Sequence, residues 1–243
     1  MPDKIVSRPF IWNREDWLAA PPRQPLRPLG PVQHITIHHT VSAESDPLAE
    51  IRGIQEYHMT KDPEPFSDIG YHYLVDRDRY IDGRDIYQGR QAQPDGSLSL
   101  GAHTAGHNEG NIGIAVLGDY THQAFTPSQL KVLEDLTAWL CYTYGLPSEA
   151  IKGHRDLSST TCPGDNLYQR LPDLREGVRR RLAAAAGEDP GPVRLVVNGR
   201  EIKPDVPPFI KEGRVFVPVR FVAEALGARV HWDDATRTVY IEH

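Results

Sequence analysis

Apolar and polar positions follow two different periods along the first 185 or so residues. The run "QHITIHH" (33–39) is rich in β-branched residues and predicts a strand. In "DPLAEIRGIQEYHM", Asp46 stands as a cap, Pro47 takes the first helical position, and Leu48, Ile51, Ile54 and Tyr57 recur on one helical face. "YHYLV" (71–75) and "RYID" (79–82) predict neighbouring strands, and "NIGIAVLG" (111–118) has the unbroken apolar character of a strand buried on both faces. "TPSQLKVLEDLTAWLCYTYG" opens with Thr126, Pro127 and Gln129 in capping-box order and stops at Gly145. A last helical stretch spans about residues 165–185, restarted at Pro172. Strands interleaved with helices place this part in the α/β class, a central mixed β-sheet flanked by helices.

The texture changes after "AAAAGEDPGPV" (183–193), where Gly187, Pro190, Gly191 and Pro192 end the helix and resist regular structure. The expected organisation is a first domain over 1–186, a linker over 187–192 and a small α+β domain over 193–243. In the latter, "VRLVVNGREI" carries Asn198 and Gly199 between two apolar runs, a hairpin signal. "RVFVPVRFVAEALG" predicts a strand leading into a short helix ended by Gly227, and "ARVHWDDATRTVYIEH" predicts another hairpin. A stretch of about 50 residues with so little apolar area is marginal alone, so packing against the first domain or a partner is expected.

Composition narrows the function classes. A net charge of −6 with no long basic run argues against nucleic acid as a partner. No segment approaches the roughly 20 apolar residues of a membrane span, so insertion into a membrane is not expected. The start, "MPDKIVSRPFIWNREDW", lacks the basic and apolar regions of a secretory signal, which predicts synthesis in the cytoplasm. Of the two cysteines, Cys141 lies among apolar residues at helical spacing and is expected to be a small buried hydrophobe. Cys162 sits in the polar "GHRDLSSTTCPGD" (153–165), where no core explains it.

A hydrolytic zinc site uses three protein ligands and leaves a position for water, and both imidazole nitrogen and thiolate sulfur suit it. His154 and Cys162 are too far apart in sequence for one helical face, so a loop must fold back, and Pro163 and Gly164 fit such a turn. For the third ligand the richest place is "ITIHHT". On a strand Ile35, Ile37 and His39 share one side, while His34, Thr36 and His38 share the other. If the isoleucines face the core, His38 points to the polar face near the strand's end and is the better candidate; His39 is the alternative. Spacing alone leaves a Cys/His nucleophile pair as a rival, since a thiolate beside an imidazole reacts without metal. That rival would keep its activity in chelator.

Six segments in order, "ITIHHT", "IQEYHM", "SDIGYHYLV", "GAHTAGHNEGNIGIAVLGDY", "TPSQL" and "GHRDLSSTTCPGD", make roughly residues 30–172 resemble the zinc-dependent N-acetylmuramoyl-L-alanine amidases of the peptidoglycan recognition protein fold, which include many phage lysins. The resemblance implies one zinc ion held by His38, His154 and Cys162, a catalytic tyrosine at Tyr71 and a residue assisting the transition state at Thr160. It implies substrate contacts from His103 and Asn108, and from Arg84 at a "GR" position. Around Arg84 the sequence departs from the pattern: "DIYQGRQAQPDGSLSL" is longer and more polar than the family's, and Asp78 stands where a turn glycine is common. His72, beside Tyr71, would face the opposite side of the strand and is expected to be structural. Binding relatives commonly lack the cysteine, so its presence favours an enzyme.

The implied reaction is hydrolysis of the amide between the lactyl group of N-acetylmuramic acid and L-alanine in bacterial peptidoglycan. The expected setting is a phage or prophage endolysin, made in the host cytoplasm and released to the wall. A bacterial autolysin, a wall-recycling amidase and a non-catalytic peptidoglycan-binding protein are the alternatives. Residues 193–243, with "NG…GR…VPVRFVAEALGA.V.WD", resemble the amino-terminal repeat domain named after copper amine oxidases. With only His231 and His243 there, no copper chemistry is implied. A wall-targeting or self-associating module is expected.

Overall fold

The computed structural model describes residues 6–42, 44–76, 85–187, 193–211 and 214–242. The predicted strand at 79–82, Asp78 and Arg84 lie outside the described residues. The chain divides into two compact units, Met1–Glu188 and Asp189–His243.

In the first unit β1 (His34–His39), α1 (Pro47–Thr60), β2 (Tyr73–Val75), β3 (Ile86–Gln88) and β4 (Asn111–Val116) are followed by α2 (Pro127–Tyr144), β5 (Ile151–Gly153), the single turn α3 (Asp165–Tyr168) and α4 (Leu171–Ala186). The five strands form one sheet in the order β3-β2-β4-β1-β5. All neighbours run parallel except β2 and β3, so the sheet is mixed as the sequence predicts. The long, strongly signalled elements match expectation. Asp46 accepts from Leu48 N at the start of α1, and Thr126 and Gln129 make the reciprocal capping box of α2, which Gly145 ends in the left-handed region. β3 and β5, three residues each, are too short to show a period and were not expected.

Side-chain alternation sends Ile35, Ile37, Ile112, Ile114 and Val116 into one core with Leu133, Leu136 and Leu140 of α2 and Leu174 and Val178 of α4. The opposite face packs Leu74, Ala115 and Leu117 against Ile51 of α1 and Trp17 of a short 3-10 turn. Both sheet faces are therefore covered. Thr36 and His38, expected on a polar face, are as buried as the isoleucines between them.

The inner side of α1 departs from the apolar stripe. Tyr57 is exposed, whereas Glu50 and Gln55 are buried. Each is satisfied: Thr40 donates to Glu50 at 2.5 Å, and Gln55 donates to Asp68 at 2.8 Å and to the Ala20 carbonyl at 2.9 Å. Asp68, wholly buried, also pairs with Arg14 at 3.0 Å, tying the amino-terminal segment to the "SDIGYH" stretch.

The second unit is built of two-stranded ribbons, β6 (Leu195–Val197) with β7 (Arg200–Ile202), β8 (Phe209–Lys211) with β9 (Arg214–Phe216), and β10 (Arg229–Asp233) with β11 (Thr238–Glu242), plus the short helix α5 (Val219–Ala225). The expected hairpins at Asn198–Gly199 and across 229–242 are present. Among its described residues only Pro208 and Ala223 are buried. No helix among the described residues of the chain is long and apolar enough to cross a membrane.

Candidate metal centre

The register of the sheet brings the two histidines together. Ile37 of β1 pairs with Gly153 of β5, so the next residue on each strand, His38 and His154, stand side by side at the carboxyl ends of parallel strands. Their ring centroids are 4.4 Å apart. Open α/β sheets commonly place their sites at this end.

Cys162 reaches the same point because the loop after β5 is folded back and pinned. Arg155, the residue after His154, donates its backbone N–H to the Cys162 carbonyl at 3.1 Å and its guanidinium to the Thr161 carbonyl and to Asp165, the latter at 2.6 Å. Asp156 accepts from Gly153 N at 2.8 Å and from the Tyr168 hydroxyl at 2.6 Å, fixing the root of the loop. Gly164 N closes a turn onto the Thr161 carbonyl at 2.9 Å, and the Cys162–Pro163 bond is cis. Neither Arg155 nor Asp156 was singled out from the sequence, although both stand inside "GHRD".

The result is a three-donor cluster. One nitrogen each from His38 and His154 and the sulfur of Cys162 lie within 4.8 Å of one another. His38 presents Nδ1 to the Cys162 sulfur at 3.7 Å. Burial holds His38 well below its ordinary pKa, aided by the positive charge that His103 and His154 would carry, and burial lowers His154 as well. Both imidazoles are thus neutral and able to offer a lone pair. Burial pushes the Cys162 thiol up to about 11, against the opposing pull of the His39 backbone N–H and Arg155. A proton on that sulfur is displaced when a cation binds there, as metal ligation by thiolate requires. Two imidazoles and one sulfur are a donor set suited to zinc. His39, the alternative to His38, turns away: its Nδ1 accepts from Tyr120 N at 3.2 Å and faces Asp119 at 3.7 Å.

The remaining expected site residues that the structure describes lie at different depths around this cluster. Tyr71 lies over His38 with ring centroids 5.2 Å apart. Burial, and the nearby Cys162, raise its phenol pKa, so it remains an O–H donor. Thr160 is exposed on the Cys162 loop, where its hydroxyl oxygen accepts from Cys162 N at 3.2 Å. His103 stands behind His38 rather than beside the loop, its Nδ1 3.1 Å from His38 Nε2. Asn108 caps the turn that carries His103, its side-chain oxygen accepting from the backbone of both His103 and Thr104 at 2.9 Å. His72 is wholly engaged with backbone, to the Ser99 carbonyl at 2.8 Å and from Gly113 N at 2.9 Å, the structural place expected of it. His58 was not singled out; its ring lies 5.5 Å from Tyr71, and burial holds its pKa down at about 4.

Residues 28–165 match the N-acetylmuramoyl-L-alanine amidase family, and residues 189–242 match the copper amine oxidase N-terminal domain. N-acetylmuramoyl-L-alanine amidase of Sus scrofa is 34% identical over 197 residues, 76% of this chain but 31% of that protein, so the chain spans about a third of its length. Peptidoglycan recognition protein 1 of Bos indicus is 30% identical over 165 residues, 65% of this chain and 80% of the relative. Among solved structures, the endolysin N-acetylmuramoyl-L-alanine amidase LysCS from Clostridium intestinale superposes with a TM-score of 0.55 at 27% identity, covering 69% of this chain and 96% of its own. The Drosophila peptidoglycan recognition protein SD gives 0.55 at 30% identity, over 66% and 91%. A sheet whose strand ends gather two histidines and a cysteine, on a chain with these relatives, belongs to the N-acetylmuramoyl-L-alanine amidase family with the peptidoglycan recognition protein fold.

Proposed function

We propose that this chain is a zinc-dependent amidase that hydrolyses the bond between N-acetylmuramic acid and L-alanine in bacterial peptidoglycan, with His38, His154 and Cys162 as the metal ligands. The observation that carries this reading is the convergence within 4.8 Å of those three donors, one from β1 and two from opposite ends of the loop that follows β5. Zinc bound there would supply Lewis acidity toward the scissile carbonyl and lower the pKa of a coordinated water toward neutrality.

The protein's own groups do the rest. Tyr71, kept protonated by burial, donates a hydrogen bond to the lactyl carbonyl oxygen as it gains negative charge. Thr160 receives the Cys162 N–H on its oxygen and still has its hydroxyl proton to donate at the exposed rim, where substrate arrives. Arg155 and Asp156 keep the Cys162 loop folded, so the thiolate need not be ordered at the moment of binding. Asn108 contacts the substrate through the part of its amide not committed to the turn.

The setting proposed is a phage or prophage endolysin, released from the cytoplasm to the wall, a reading supported by likeness to a protein named as an endolysin. The second unit serves as a wall-targeting or self-associating module. Incubating the protein with purified cell walls tests the reaction. New L-alanine amino groups are expected, and chelator should abolish them until zinc is restored. Activity unaffected by chelator would transfer the chemistry to a Cys/His pair, release of reducing sugar would make the protein a glycosidase, and binding without any release would make it a peptidoglycan receptor.

A further inference from the structure

We infer that His103 is a positioning residue for the metal centre: it holds His38 in the tautomer whose Nδ1 is bare and faces Cys162 and His154. The inference rests on the zinc reading above and assigns His103 a task other than the substrate contact its sequence motif implies.

The argument follows the protons. His103 Nε2 lies 3.0 Å from the Asn111 carbonyl oxygen, which can only accept, so this nitrogen carries the ring proton. In the neutral ring Nδ1 is then an acceptor, and 3.1 Å away stands His38 Nε2. That contact needs one proton, and it comes from His38. With its proton on Nε2, neutral His38 has its lone pair on Nδ1, the nitrogen 3.7 Å from the Cys162 sulfur. Thr104 Oγ1 closes a small ring of contacts, 2.9 Å from His103 Nδ1 and 3.5 Å from His38 Nε2. Metal-bound histidines commonly donate their second ring N–H in this way, which sets both tautomer and ring orientation.

The support behind His103 is built for rigidity. Its backbone and that of Thr104 are held by Asn108. Asn111 is fixed in turn, its side chain accepting from Thr36 at 2.9 Å and donating to the His107 carbonyl at 2.8 Å. The ring occupies a slot that exists only because residue 113 is glycine: a Cβ there would fall 2.5 Å from His103 Cγ and Cδ2. Gly113 is the register partner of Thr36, two residues before His38, so the slot and the ligand are held by the same pair of strands. His72, immobilised by its two backbone hydrogen bonds, closes the far side with its ring edge-on at 5.6 Å. Both ring nitrogens of His103 are thereby committed inside the protein.

Zinc affinity, read by competition with a chromophoric chelator, tests this without any wall substrate. His103→Ala should weaken zinc binding roughly 10-fold to 100-fold. His103→Asn, whose side-chain oxygen can stand near the lost Nδ1 acceptor, should recover most of it. Unchanged zinc affinity in His103→Ala, with a raised KM for wall fragments, would overturn the inference and return His103 to the substrate groove. A second measurement needs no variant: in the zinc-loaded wild type with 15N-labelled histidine, His38 is expected to show a protonated Nε2, and a proton on Nδ1 would overturn the inference. A wild-type chain that takes up no zinc would overturn the zinc reading itself, an outcome distinct from zinc uptake that is indifferent to residue 103.

Discussion

The two units of this chain both form the elements that their local sequence signals, yet they have very different interiors. In the first, strands and helices form three layers, and side chains such as Ile37, Leu74, Leu136 and Leu174 are fully buried. In the second, hairpins and a short helix form where expected, yet Phe209, Phe216, Trp232, Tyr240 and Ile241 each keep 44% to 51% of their surface exposed. Phe209 and Phe216 stack on each other, with ring centroids 5.2 Å apart. Local signals are enough to make elements in either unit. Burying them takes a wide sheet with helices on both faces, and two-stranded ribbons of three to five residues do not supply one. The site lies in the first unit for the same reason. Holding three donors within 4.8 Å requires strands whose register cannot slip.

Substitutions can break or sharpen this contrast. The largest effect is expected from Cys162→Ala, which should reduce hydrolysis to background and lower metal content, as read by metal analysis beside a wall-digestion assay, while the unit's fold persists in circular dichroism. Tyr71→Phe should slow turnover about 100-fold to 1000-fold, the usual effect of removing one donor to a developing oxyanion, and leave zinc stoichiometry unchanged. Leu136→Ala, in the packed core, should cost about 2–5 kcal/mol in denaturant unfolding.

Acid should also act on the first unit. His72 and His58 are held neutral, each near 4, chiefly by burial. Their folded pKa values lie below that of an unfolded histidine, so the unfolded chain binds protons first as pH falls. Stability of the metal-free protein should be full above about pH 6.5 and decline between about 6.5 and 4, a loss that His72→Gln should reduce in pH-dependent melting curves. The smallest effect is expected in the second unit: Phe216→Ala should shift stability by no more than about 0.5 kcal/mol, as at open surface sites. A loss several times larger would mean that a partner or a second copy covers that face in solution.

Much of the site was legible because its donors sit in segments with clear character. "ITIHHT" alternates as a strand must, which separates His38 from His39, and the pair does diverge, His39 turning to Tyr120 and Asp119. Cys162 stood out because no core explained a thiol in a polar loop. Other features left little local trace. β5 is three residues long, yet its pairing with β1 is what sets His154 beside His38. The polar inner face of α1 contradicts a simple apolar stripe, because Glu50 and Gln55 find partners far away in sequence or on other elements. Arg155 and Asp156 resemble ordinary surface charges until the loop folds back on them.

The sequence by itself determined the long elements and the mixed α/β class, and it marked His38, His154 and Cys162 as candidate donors, since caps, periodicity and residue chemistry act over a few neighbours at a time. Only the tertiary structure decided which nitrogen of His38 faces the sulfur, that His103 stands behind it, and that the face bearing Thr36 and His38 is buried. Those facts depend on strand register and on hydrogen bonds between residues 65 to 124 positions apart, separations over which no local pattern carries information.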